Sequence, residues 1–127
     1  MHSTRDNVPV SVETPEVRLR STEWGGMAIE TGVCLQTIDA TPLFAGLPDD
    51  KCQCPHWGYV IKGSIRFHFA GRVDTFSAGE IYYAEPGHTP ELVEGLEYVE
   101  FSPADELAKT TEQVGKNMAA MMSGAQP

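Results

Sequence analysis

The chain has 127 residues, 41% of them apolar and 21% charged, the make-up of one ordinary globular domain with a single core. Its net charge of −9 and pI of about 4.7 exclude the basic surface that nucleic acid or an anionic membrane selects. No apolar run approaches the ~20 residues that cross a bilayer. The opening MHSTRDNVPV has no signal-peptide core, and three cysteines, an odd number, imply reduced thiols in the cytoplasm.

Residues 1–14 are polar and form an arm. Val8, Val10 and Val12 alternate with Pro9 and Ser11, a period of two that suits a strand. Pro9 and Pro15 confine it to a sheet edge, and pairing with a second subunit is the expectation. Val17 and Leu19 alternate with Arg18 and Arg20, a half-buried strand that ends at the turn Trp24-Gly25-Gly26. Met27 to Ile38 is a broken β-run in which Cys34 is a small buried hydrophobe. Thr41 to Pro48 is a turn or a short 3-10 segment, followed by Asp49-Asp50.

The central window is KCQCPHWGYVIKGSIRFHFAGRVDTFSAGEIYYAEPGHTP. Trp57 to Ile61 is apolar and stops at Lys62-Gly63, where glycine supplies the positive φ of a tight hairpin. Ile65, Phe67 and Phe69 alternate with Ser64, Arg66 and His68, which places His68 on the solvent face. Turns at Ala70-Gly71, Ala78-Gly79 and Pro86-Gly87 separate further short strands up to Phe101. Short strands at regular spacing, punctuated by Gly and Pro, predict an all-β sandwich or closed barrel. The barrel is assigned residues 15–101.

The remainder, 102–123, is predicted as an α-helix. Ser102 is its N-cap, Pro103 its first helical residue and Asp105 the acid of its first turn. Leu107, Thr111, Val114, Met118 and Met121 recur at spacings of four and three, an apolar stripe that packs on the barrel or on a partner.

In this framework the chain resembles the cupin superfamily, small antiparallel β-barrels built on two motifs, G-x5-H-x-H-x3,4-E-x6-G and G-x5-P-x-G-x2-H-x3-N. Gly63 fits the closing glycine of the first motif; Gly79 opens the second and Gly87 is its inner glycine. His56 then stands where the family has Glu, Cys52 in place of the second His and Asp50 in place of the first. In the second motif Glu85 stands at the Pro, Pro90 at the His with His88 two residues before it, and Glu94 at the final Asn. The resemblance spans residues 45–101. It implies the barrel fold but not the common site of three His and one Glu.

The chemistry rests on the donors that remain. Cys52, Cys54 and His56 share parity, and a straight strand would set Cys52 and His56 about 13 Å apart. Either Cys54 and His56 are the usable pair, or a bend near Pro55 brings Cys52 and His56 together from two strands, as the cupin register favours. His88, following the Pro86-Gly87 turn, faces them across the barrel. The candidate ligands are therefore His56, His88, Cys52, Cys54 and Asp50, and thiolate with imidazole suits zinc first and iron second. A Cys52–Cys54 redox pair is strained by its single intervening residue, and hydrogen-bonded histidines with buried thiols are the metal-free alternative. Tyr59, Tyr82, Tyr83, Tyr98 and Trp57 offer a lining for a small organic ligand or an interface, and Glu85, Glu91 and Glu100 are candidate acids or bases. The expected molecule is a homodimeric small-molecule barrel, either a metal-dependent enzyme or a non-catalytic sensor.

Overall fold

The computed structural model describes residues 1–123. Ten strands run in chain order: β1 (Val10–Glu13), β2 (Val17–Trp24), β3 (Met27–Cys34), β4 (Ile38–Asp39), β5 (His56–Lys62), β6 (Ser64–Phe69), β7 (Arg72–Ser77), β8 (Ile81–Ala84), β9 (Thr89–Leu92) and β10 (Glu97–Pro103). Two 3-10 turns, Thr41–Phe44 and Pro48–Asp50, precede β5, and the helix α1 (Ala104–Met122) follows β10. The strands form a six-stranded sheet in the order β1-β2-β3-β10-β5-β8 and a four-stranded sheet in the order β4-β9-β6-β7. Every pairing is antiparallel.

Alternation decides which side chains enter the space between the sheets. His56, Gly58 and Val60 of β5 point inward, while Trp57 and Tyr59 point out. Ile65 and Phe67 of β6 meet Val60, Tyr82, Leu92, Leu96 and Tyr98 in the main core. A smaller cluster of Ala40, Phe44, Cys52 and Cys54 lies under Leu107 and Val114 of α1.

Four expectations change in the fold. Gly63 does not close a hairpin: β5 and β6 belong to different sheets, and Gly63, at φ +72°, is the corner between them. A Cβ there would lie 2.8–2.9 Å from the backbone of Gly95 and Leu96, so close approach as well as conformation calls for glycine. The hairpin is β6–β7, closed by Ala70-Gly71. Ser102 is not a helix cap, because β10 pairs with β3 as far as Pro103↔Met27, and sheet pairing outweighs the local capping preference. The helix stripe changes at one position: Thr110 is buried and Thr111 is not, while Leu107 and Val114 pack on the core as the stripe implies. Finally, the arm docks on its own chain. Strand β1 pairs with β2, Arg20 donates to the carbonyls of Asp6 and Val8 at 2.9 Å each, and Val8 is buried.

Candidate functional site

Cys52 is held by a single β-bridge to His88, and its amide donates to the His88 carbonyl at 2.8 Å. Residues 53–55 lie outside any strand, and the chain enters β5 at His56. A straight strand would hold positions 52 and 56 about 13 Å apart; here Cys52 Sγ and His56 Nε2 lie 3.6 Å apart. Cys52, His56 and His88 bring one donor atom each to within 4.8 Å of one another, and they are only 2%, 6% and 1% exposed. The imidazole centroids lie 4.9 Å apart.

Each histidine is held through its other nitrogen. His56 Nδ1 lies 2.6 Å from Ser102 Oγ and 3.4 Å from Glu100 Oε1. His88 Nδ1 is 2.6 Å from the Glu85 carbonyl, an acceptor only, so Nδ1 carries the proton and Nε2 presents its lone pair. Burial pushes the His56 imidazolium down to about 4. Burial does the same to His88, to about 4, with the neighbouring His56 adding to it. Both rings are therefore neutral at physiological pH, the form that ligates a metal. Burial raises the Cys52 thiol, against hydrogen bonds with Thr110 and the Cys54 backbone, which lower it.

Two carboxyls border this group. Glu30 and Glu100 are direct cross-strand partners on β3 and β10, an arrangement of like charges that normally destabilises a sheet. Each accepts a phenol at 2.5 Å, Glu30 from Tyr98 and Glu100 from Tyr82. Burial first, and for Glu30 the neighbouring Glu100 second, pushes both from the ordinary 4.5 up to about 7. The tyrosines reach the acids because glycines face them across the strands, Gly32 opposite Tyr98 and Gly58 opposite Tyr82.

The donor group lines the floor of a cleft of about 980 Å³, one wall of which is a face of α1. The helix is tied down by Thr110 Oγ1, 3.6 Å from Cys52 Sγ, and by Asn117, which donates to the carbonyls of Leu43 and Ala45 at 2.7 and 2.8 Å. Beyond Asn117 its lining residues are Met118, Met121 and Met122.

The other predicted residues lie elsewhere. Cys54 is buried, but its Sγ is 3.4 Å from the Pro55 carbonyl and 4.0 Å from that of Pro103, outside the donor group, and burial pushes its thiol up to about 12. Asp50 is exposed on the second 3-10 turn and accepts the Gly46 amide at 3.0 Å. Glu85 is exposed and pairs with Arg72. His68 is half-buried rather than free on the surface: it lies 2.8 Å from Glu91, which Arg66 also pairs at 3.0 Å. Asp39 completes that second group but already accepts both the amide and the hydroxyl of Thr41, so ordinary ion pairing accounts for it. Sequence reasoning passed over Glu30, Ser102 and Thr110.

No protein-family model matches the chain, and no curated protein matches it in sequence. The likeness lies in solved structures. The polyketide cyclase RemF from Streptomyces resistomycificus superposes with a TM-score of 0.56 at 16% identity, over 82% of this chain and 79% of that one. An RmlC-like cupin from Shewanella frigidimarina gives 0.52 at 12% identity, over 80% and 89%. The chain has the cupin fold. The EutQ protein of Clostridium difficile is a further match, with a TM-score of 0.53 at 17% identity over 79% and 73%. These cupin-fold neighbours include enzymes and proteins of unknown function, so the fold leaves the activity to be argued from the site.

Proposed function

We propose that this cupin-fold chain is a small-molecule pocket protein that holds a divalent metal, zinc before iron, through Cys52, His56 and His88. The observation that carries the reading is the spacing of these donors at the floor of the cleft. Tetrahedral zinc with one thiolate and one imidazole ligand needs S and N about 3.5 Å apart, and Cys52 Sγ and His56 Nε2 lie at 3.6 Å. Two neutral imidazoles with fixed outer hydrogen bonds complete a set of three protein donors and leave a fourth position for the occupant. Bound there, the metal would supply Lewis acidity toward an oxygen of a small organic substrate. Glu30 and Glu100, each beside a phenol, hold protons next to that position. Cys54 and Asp50 are left out of the ligand set.

Chelator-treated protein is expected to take up one zinc per chain in a calorimetric titration. His56→Ala and His88→Ala each abolish stoichiometric uptake, and cobalt substitution gives a thiolate charge-transfer band that is absent in Cys52→Ser. A wild-type protein that takes up no metal overturns the reading. Turnover on a panel of small organic oxygen compounds then separates an enzyme from a sensor barrel.

We further infer a cytoplasmic homodimer. All three cysteines are free, as a reducing compartment keeps them, and among the described residues no helix is long and apolar enough to cross a membrane. On the outer face of the six-stranded sheet, Phe101, Trp57 and Tyr83 stand in register across β10, β5 and β8. Beside them lie Tyr59 and Ile81, the latter 85% exposed. A contiguous apolar patch on an edge strand is what a second copy covers. Sedimentation velocity should give a dimer, and Ile81→Glu a monomer; a monomeric wild type removes the dimer.

A further inference from the structure

The occupant of the cleft can be narrowed from the charges that line it. Five lining residues are acidic, Glu16, Glu23, Glu30, Asp39 and Glu100, and no Lys or Arg is among the described lining residues. The net charge of the whole chain is −9, so the long-range field carries the same sign as the lining. The rest of the wall is chiefly apolar. Val12, Leu19, Phe44, Ile65, Phe67 and Leu92 come from the two sheets and the first 3-10 turn, and the opposite side is the methionine-rich half of α1. Unbranched methionines adapt their shape to an apolar guest. A volume of about 980 Å³ is at the upper end for a pocket that encloses one drug-sized molecule.

We infer that the ligand is an uncharged, predominantly apolar molecule of about drug size, whose polar end reaches the Cys52–His56–His88 floor. This rests on the proposed role of that floor as the polar end of the pocket. In the metal-free cleft carboxylates, phosphates and sulfonates are disfavoured, because an anion there meets up to five acids and no Lys or Arg. The apolar walls replace the water around the apolar part of the ligand, and the contribution grows with the area covered.

The test uses two fluorescent probes that share a skeleton and differ by one charge. N-phenyl-1-naphthylamine is neutral; 1-anilinonaphthalene-8-sulfonate carries a sulfonate. Both are titrated into chelator-treated and zinc-loaded protein at pH 7.5 (about one unit above an unperturbed histidine). The neutral probe is expected to bind with one site per chain and at least about tenfold more tightly than the sulfonate in chelator-treated protein. Thr111→Trp and Gly115→Trp, both on the helix wall, should each weaken the neutral probe by tenfold or more with helicity and melting temperature retained. A Cβ at Gly115 meets nothing within 4 Å, so the backbone there accepts a side chain without strain, and retained helicity identifies the folded variant on which the test is read. Equal or tighter binding of the sulfonate, no binding of either probe, or full affinity in a folded Gly115→Trp protein overturns the inference. A protein that takes up no zinc yet keeps the preference for the neutral probe supports it, and only the metal reading then fails.

Discussion

Replacing Glu30 by Gln is expected to make the chelator-treated protein more stable than wild type at neutral pH, with an advantage that vanishes in acid. The Glu30 carboxyl lies against Tyr98 and opposite Glu100, and burial followed by the Glu100 charge pushes it from 4.5 to about 7. A carboxyl with a raised native pKa binds more protons folded than unfolded across that interval. Its contribution is therefore fully present below 4.5 and is lost as the pH climbs through about 7. A shift of that size corresponds to at most about 3–4 kcal/mol, and since Glu30 borders the cleft, water there keeps the realised value below this ceiling. The histidines act in the opposite sense. His56 and His88, lowered from 6.5 to about 4, contribute stability above 6.5 that is lost as the pH falls through about 4. The two windows overlap, so the wild-type profile is flatter than either contribution alone. The difference between Glu30→Gln and wild type isolates the carboxyl. Urea denaturation at pH values from 4 to 8 (roughly the span over which both groups titrate) should show that difference growing with pH. A flat difference, or one that shrinks, means the acid is ionised without cost in the fold.

The same residues explain how far the sequence could be read. Short strands, Gly and Pro punctuation and a terminal amphipathic segment carry the fold class, because each is a local property with a fixed period. The convergence of Cys52, His56 and His88 was foreseeable from the break in extended structure expected near Pro55 and the turn before His88. The acids were not. In β3, alternation groups Ile29 with Thr31 and Val33, and in β10 it groups Val99 with Phe101. Either apolar set would by that rule face the core. Strand β10 does the reverse: Tyr98, Glu100 and Ser102 are buried and Phe101 is exposed. In β3 both parities are covered: Glu30 lines the cleft and accepts from Tyr98, while Ile29 and Thr31 are buried on the other face, where Thr31 donates to the Arg5 carbonyl of the arm at 3.3 Å. The inverted alternation of β10 is the local mark of a polar floor, and Glu30 is recognisable only once the pairing of the two strands is known. Ser102 was misassigned for a related reason. Its position before Pro103 has the local pattern of a helix cap, yet the strand continues past it, and its hydroxyl serves His56 instead.

Gly58→Ala should lower stability by about 1–3 kcal/mol, although alanine is normally favoured over glycine in a strand by about 0.5–1 kcal/mol. Gly58 faces Tyr82 across β5 and β8, and a Cβ at this position would fall well inside van der Waals contact with the ring and hydroxyl of Tyr82. The ring has nowhere to go. It stacks on Phe76 at 5.0 Å, meets Phe67 at 5.6 Å and is fixed at its far end by the 2.5 Å bond to Glu100. Accommodating the methyl group therefore means moving either the strand or the tyrosine, and the second choice strips Glu100 of its donor beside His56. Thermal denaturation should show Tm falling by roughly 4–12 °C. Tyr82→Leu, which vacates the contested space, should cost less in the Gly58→Ala background than in wild type, a coupling that a double-mutant cycle reads directly. Additive losses, or a Gly58→Ala protein as stable as wild type, would show that the glycine is not what seats Tyr82 against Glu100.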